Sequence, residues 1–289
     1  MKVLVLGANG MLGNAMFRIL SEMSQWEVFG TVRSAAVAQL LPPQRAAQLI
    51  AGCDVADDGA LDGVFARLHP DVVINCISLP RHSSSSGDPL LAIPIYSLLP
   101  HRLAGMCRLV GARLVHMSTD GVFSGAKGGY SEDDTPDARD LYGVAKHLGE
   151  VNYPHAITLR TSIIGHALRD AHGLIDWFLA QSGSCSGYTR SVFSGLPNVT
   201  IARLIRDVVI PRPDLCGLFH VAARPVSKYA LLRLVADTYG KSIDIVKDDS
   251  SVIDRSLNSK RFEAATGYVA PEWPALVADM HADWCRRSD

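Results

Sequence analysis

Lys2-Val3-Leu4-Val5-Leu6-Gly7-Ala8-Asn9-Gly10-Met11-Leu12-Gly13 decides the fold at the very start of the chain. The apolar run reads as a strand, the glycines as a turn, and the amphipathic stretch over 11–22 as a helix. Gly7 permits a sharp turn, Gly10 lets main-chain N–H groups approach a pyrophosphate, and Gly13 lets the helix pack close to the sheet. A helix that opens on such a turn points its N–H groups at an anion. An ordinary glycine turn is the plainer alternative. The strand before and the helix after favour a dinucleotide site built from Gly7, Asn9, Gly10, Met11, Leu12 and Gly13.

Outward from this segment the same rhythm repeats. Apolar runs at 26–32, 48–53, 71–77, 112–117 and 156–160 are interleaved with longer amphipathic stretches at 57–68, 89–110 and 140–153. The runs are nearly continuous in Val, Ile and Leu, as expected of strands covered by helices on both faces. The expected fold is α/β: a doubly wound parallel Rossmann sheet over 1–161 and a smaller, mainly substrate-binding C-terminal domain over 162–289. Past Arg160 the rhythm breaks at prolines 197, 211, 213, 225, 271 and 274 and at a Gly/Ser cluster over 182–187. The strand-like run at 217–222 could return to the first sheet. Four serines at 83–86 follow the fourth strand and predict a mobile loop over the site.

The second strand ends Gly30-Thr31-Val32-Arg33-Ser34, with no carboxylate to accept a ribose 2′-OH. Arg33, about 20 residues past Gly13, can instead face a 2′-phosphate, with Ser34 as a further donor. NADP(H) is therefore favoured over NAD(H); a solvated surface arginine is the alternative. Asp54 and Val55 after the third strand, and Asn75 and Cys76 at the end of the fourth, complete the predicted cofactor set. Asp54 could accept from the adenine amino group or cap the next helix.

Composition narrows the classes. Among 289 residues, 28 Lys and Arg face 29 Asp and Glu, so no basic footprint marks a nucleic acid or an anionic membrane as a partner. No signal-peptide pattern opens the chain, and no later stretch reaches the roughly 20 apolar residues of a membrane span. The six cysteines have no paired spacing, so neither a disulfide framework nor a metal site is indicated. A cytoplasmic protein is expected.

Tyr142-Gly143-Val144-Ala145-Lys146 is the one place where a lysine follows a tyrosine by four residues. On a helix the two share a face, where an ammonium stabilises the tyrosinate left when the phenol gives up its proton. Such a tyrosine can protonate a carbonyl oxygen as hydride reaches the carbon. A partly buried aromatic beside a solvated lysine is the alternative. The fifth strand ends in Ser118-Thr119-Asp120, delivering a hydroxyl to the carboxyl edge of the sheet, where Thr119 can orient the carbonyl toward Tyr142. The same run could be merely a turn or a helix cap.

These segments together resemble the extended short-chain dehydrogenase/reductases, and among them the dTDP-4-dehydrorhamnose reductase-like group. The resemblance runs through the glycine turn, Ser118-Thr119-Asp120-Gly121-Val122-Phe123, Tyr130-Ser131-Glu132-Asp133-Asp134-Thr135-Pro136, residues 142–150, Leu159-Arg160-Thr161-Ser162 and residues 255–262. It implies a catalytic triad of Thr119, Tyr142 and Lys146, with Lys146 also touching the nicotinamide ribose and Asp120 near the sugar. Related 4,6-dehydratases carry Glu where this chain has Gly121, and epimerase-reductases carry Cys. Glycine can move no proton, which favours plain reduction.

The implied activity is NADPH-dependent reduction of the 4-keto group of a 4-keto-6-deoxy nucleotide sugar for surface polysaccharide synthesis. A UDP-linked 2-acetamido-2,6-dideoxy-4-hexulose competes with a dTDP sugar. Arg190 and Arg255 are candidates for the substrate pyrophosphate, against the plainer reading of surface arginines. Trp177 could stack on the sugar or base, or turn to the core. His147 and His172 show no partner in the sequence. Tyr96 stands where relatives often have an Asn that serves a water-mediated proton path, and Ser78-Leu79-Pro80-Arg81-His82-Ser83 lacks their small and acidic pattern. These departures motivate the alternative of a non-catalytic NADP-binding regulatory subunit or redox sensor; an epimerase or dehydratase is a third. A homodimer is left open.

Overall fold

The computed structural model describes residues 1–79, 87–168 and 173–288. The serine tract at 83–86, Arg81, His82 and His172 lie outside the described residues.

Strands β1 (Lys2–Leu6), β2 (Glu27–Val32), β3 (Leu49–Ala51), β4 (Val72–Asn75), β5 (Arg113–Thr119) and β6 (Ala156–Thr161) share one parallel sheet with Gly217–His220. The spatial order is Gly217–His220, β6, β5, β4, β1, β2, β3. From β1 the chain winds to one edge through β2 and β3, then crosses to β4 on the other flank of β1. This reversal opens a crevice at the carboxyl ends of β1 and β4, the position where doubly wound sheets bind ligands. The expected fold class is the observed one.

The continuous apolar runs have a direct cause. Val3 and Val5 enter one core layer with Ile74, Val115 and Ile157, while Leu4 and Leu6 enter the opposite layer with Val73 and Leu114. Burial on both faces requires an apolar side chain at every position. Helix α1 (Met11–Leu20) covers the first face through Ala15, Met16 and Phe17. Asp58–Leu68 and Leu99–Val110 cover the second through Leu61, Phe65 and Leu103.

Several boundaries differ from the sequence expectation. β5 continues two residues past the apolar run, so Ser118 and Thr119 belong to the strand. The helix expected over 140–153 ends at Leu148. Pro89–Val110 is a continuous 22-residue helix, long and apolar enough by length and composition to cross a membrane, which corrects the expectation that no such segment exists. An uninterrupted apolar count misses it because Ser97, His101, Arg102 and Arg108 punctuate it. Its Leu99, Leu103, Ala104 and Cys107 pack into the core under the sheet. Within it Ile93–Leu98 forms a π-turn.

The later chain adds small sheets and the helices Asn198–Leu204, Lys228–Tyr239, Lys260–Thr266 and Trp273–Ser288. The core layer under α1 runs on into Val199, Leu231 and Val277, so both halves share it. Arg18 of α1 grips Asp283 of the last helix at 3.1 and 2.8 Å, and Arg287 bonds the same carboxylate at 2.9 Å.

Candidate active site

The glycine turn is built as its chemistry requires. Gly7 adopts φ +78°. Its N–H donates to Thr31 Oγ1 at 3.3 Å, and Ala8 N–H donates to the Thr31 carbonyl at 3.0 Å. A Cβ on Gly13 would overlap the Gly7 carbonyl, so the helix can sit this close only with glycine there. Gly10 opens α1 without a side-chain cap, leaving the first helical N–H groups for an anion. These residues fit a dinucleotide pyrophosphate. Asn9 is exposed beside them, Leu12 is buried, and Asn198 Nδ2 donates to the Met11 carbonyl at 3.1 Å.

Arg33 and Ser34 lie exposed just beyond β2, where Ser34 Oγ accepts from Ala36 N–H at 3.3 Å. Asp54 is exposed after β3 and accepts from Ala56 N–H at 3.0 Å; Val55 is buried. The next helix is capped by Asp57, not Asp54, through a 3.0 Å bond from Gly59 N–H. Asn75 turns its side chain inward: Nδ2 meets His116 Nδ1 at 3.2 Å and Oδ1 accepts from Ile77 N–H at 3.1 Å. It ties β4 to β5. Burial pushes the Cys76 thiol up to about 12, against the pull of the Lys146 charge.

Thr119 ends β5 and starts a tight turn, its Oγ1 accepting from Gly121 N–H at 3.0 Å and donating to Asp120 Oδ1 at 3.2 Å. The helix that carries Tyr142 and Lys146, Leu141–Leu148, begins on Asp140, whose carboxylate accepts from Gly143 N–H at 2.9 Å. A Cβ on Gly143 would strike the Gly121 carbonyl, so the helix start rests directly on the turn. A Cβ on Gly121 would stand 3.0 Å from Tyr142 Cε1 and 3.2 Å from Thr119 Oγ1. Hydroxyl and phenol ring thus converge on one point. One helical turn on, the buried Lys146 donates from Nζ to the Met117 carbonyl at 2.6 Å. Thr119, Asp120, Gly121, Tyr142 and Lys146 form one cluster.

The two arginines are placed differently. Arg190 is exposed just before the strand Ser191–Phe193. Arg255 follows Ile253–Asp254, which pairs parallel with that strand. Its stem packs near Gly125, and its Nε is buried with no hydrogen-bond partner among the described residues. Trp177 is 42% exposed, whereas the adjacent Phe178 fills the core.

Behind the cluster lies a frame whose parts come from separate segments. Glu150 accepts from Ser118 Oγ, Arg160 Nε and Arg160 Nη2, each at 2.7 Å. Burial alone would raise its carboxyl, but Arg160 with His147 and Ser118 brings it below the ordinary value. His147 therefore has a partner, Glu150 Oε2 at 3.0 Å, contrary to the sequence reading. Phe123 stacks on Tyr130 with centroids 4.1 Å apart. Sequence reasoning passed over Thr31, which holds the glycine turn; a threonine in a strand carries no sign of that role.

A family model described as the RmlD substrate binding domain matches residues 1–284. The chain belongs to this family. Its fold and motifs are those of an extended short-chain dehydrogenase/reductase of the RmlD kind. Methionine adenosyltransferase 2 subunit beta of Xenopus laevis is 31% identical over 251 residues, covering 82% of this chain and 72% of that protein. A dTDP-4-dehydrorhamnose reductase of Streptomyces griseus is 34% identical over 148 residues, covering 51% of this chain and 43% of that protein. The structure of a dTDP-4-dehydrorhamnose reductase from Bacillus anthracis in complex with NADP superposes with a TM-score of 0.80 at 18% identity, covering 98% of each chain.

Proposed function

We propose that the chain is an NADPH-dependent oxidoreductase that reduces the 4-keto group of a 4-keto-6-deoxy nucleotide sugar. The convergence of Thr119 and Tyr142 on Gly121, with Lys146 fixed to the same strand, carries this reading. A reduced nicotinamide, when bound, supplies hydride to the carbonyl carbon. Thr119 would turn its one hydroxyl proton from Asp120 Oδ1 to the carbonyl oxygen and so orient it. Tyr142 passes its phenolic proton to that oxygen, and the Lys146 ammonium stabilises the tyrosinate that remains. Gly121 offers no group to move a C5 proton, so neither dehydration nor epimerisation is served. The glycine turn would hold the pyrophosphate, and Arg33 at the end of β2 would face a 2′-phosphate.

Arg255 is the first candidate for the substrate diphosphate, as a guanidinium matched to phosphate oxygens. Arg190 is the second candidate. The product would feed surface polysaccharide synthesis in the cytoplasm. Purified protein should oxidise NADPH when given a 4-keto sugar nucleotide. Tyr142→Phe should keep cofactor binding and lose ~10²- to 10⁴-fold in turnover. Unchanged turnover in that variant would overturn the mechanism.

The relative named as a subunit of methionine adenosyltransferase favours a second reading, a non-catalytic nucleotide-binding subunit. Copurification with a stoichiometric partner, together with no turnover on a panel of keto-sugar nucleotides, would establish it instead.

A further inference from the structure

Tyr96 is 1% exposed and sits in the π-turn Ile93–Leu98. A π-turn inserts one residue into a helix and re-aims its side chains, frequently at functional sites. Here the ring meets Tyr142 edge-on, with centroids 5.2 Å apart and planes at 90°. The Lys146 ammonium stands 5.8 Å from the centroid of the same ring. At the other end the Tyr96 hydroxyl brackets the Leu79 peptide, accepting from Leu79 N–H at 2.9 Å and donating to the Leu79 carbonyl at 3.3 Å. Ser78 Oγ lies 3.3 Å from the same hydroxyl.

Two further contacts lock this turn to the helix Leu141–Leu148 and its end. Ser97 Oγ donates to the Ala145 carbonyl at 2.9 Å. Gly149 lies so close to the Tyr96 carbonyl that a Cβ there would overlap it. The π-turn, the helix of Tyr142 and the exit of β4 are thus joined through one side chain and its immediate neighbours.

We propose that Tyr96 is the positioning residue of this site, its ring fixing Tyr142 and Lys146 and its hydroxyl fixing the substrate-side segment after β4. The inference rests on the reductase reading for its catalytic consequence. An edge-on aromatic contact restricts the swing of the Tyr142 ring. A ring face attracts an ammonium and holds it beside the phenol it serves. The hydroxyl does separate work, because it holds Leu79, four residues past the carboxyl end of β4, at the edge of the sheet where doubly wound folds bind their ligands. Ring and hydroxyl therefore divide between turnover and substrate affinity.

The test separates the two ends. Tyr96→Phe keeps the ring, and its loss should fall on KM for the keto-sugar nucleotide, roughly three- to tenfold, more than on kcat. Its Leu79 amide, freed of an acceptor, should exchange with solvent deuterium at least roughly tenfold faster. Tyr96→Leu removes the ring, and kcat should fall roughly 10- to 100-fold with NADPH affinity retained. With ring-labelled tyrosine, the NMR signal that disappears in Tyr142→Phe should shift in Tyr96→Leu. Tyr96→Met, whose longer unbranched chain adapts to an irregular gap, replaces the leucine variant if that one fails to fold.

Wild-type exchange at Leu79 in Tyr96→Phe, or an unmoved Tyr142 signal in the ring-deleted protein, would overturn the proposal. So would wild-type kcat without the ring. The exchange and NMR readouts need no turnover. An inactive wild-type protein showing both expected changes would refute the reductase reading while leaving the positioning contacts standing.

Discussion

The Lys146 ammonium donates to the main-chain oxygen of Met117 at 2.6 Å, two residues before Thr119 on the same strand. This bond sets the helix Leu141–Leu148 against β5 and so fixes Tyr142 relative to the Thr119 hydroxyl, the pair proposed to act on the carbonyl. Lys146→Met fills most of the same volume and deletes the charge. Turnover should fall by ~10²-fold or more. The unpaired Met117 carbonyl should cost about 1–3 kcal/mol in urea unfolding. A folded variant with wild-type kcat would refute the assigned role.

Gly121 is a steric requirement as well as a missing acid. Gly121→Ala places a methyl 3.0 Å from Tyr142 Cε1 and 3.2 Å from Thr119 Oγ1, tighter than ordinary van der Waals contact. Relief comes from displacing the phenol or the hydroxyl by a few tenths of an ångström. Turnover should drop roughly 10- to 100-fold. NADPH affinity, read by fluorescence titration, should stay within about twofold because the glycine turn is untouched. Full activity in this variant would show that the convergence point is not where the carbonyl sits.

What could be read in the chain follows from which constraints leave a local trace. β1 was legible because Val3, Leu4, Val5 and Leu6 are buried in alternation on two faces, which writes an unbroken apolar run. The end of β5 was not, because Ser118 and Thr119 are polar for the site's sake and the periodicity stops at Met117. The residues of the candidate site stood out because Tyr142 and Lys146 share a helical face. Their supports did not: Glu150 finds Arg160 and Ser118 on other strands, and no spacing reports a contact made by folding. Tyr96 was visible as an unusual residue, but the π-turn that aims it was not. Of the two roles open to Asp54, capping falls instead to Asp57 three residues on, since the two look alike to a capping rule.

Arg33 stands exposed at the end of β2, beside the turn that would hold the pyrophosphate. A guanidinium there distinguishes a 2′-phosphate from a 2′-OH by charge. Arg33→Ala should raise KM for NADPH roughly 10- to 100-fold, as expected for loss of a charge-assisted pair. KM for NADH should change by less than about twofold. Steady-state kinetics with both cofactors check this, and equal effects on the two would remove Arg33 from cofactor selection.

His220 makes stability depend on pH. Its ring is buried between Arg160 Nη1, 3.3 Å from Nε2, and the Tyr130 carbonyl, 3.0 Å from Nδ1. Burial, reinforced by the Arg160 charge, brings its pKa down to about 4. The unfolded histidine titrates near 6.5, so between pH 6.5 and 4 the unfolded chain binds a proton that the folded one refuses. Stability is therefore full above about pH 6.5 and falls as the pH drops through this window, by roughly 3 kcal/mol from this group. His116 acts in the same direction, held well below its ordinary value by burial and the Lys146 charge. Glu150, with a lowered carboxyl, adds a further loss at still lower pH. Urea midpoints across pH 4 to 7 should show this decline, and His220→Gln, which cannot titrate, should flatten part of it. An unchanged slope in that variant would show that His220 does not govern the acid limb.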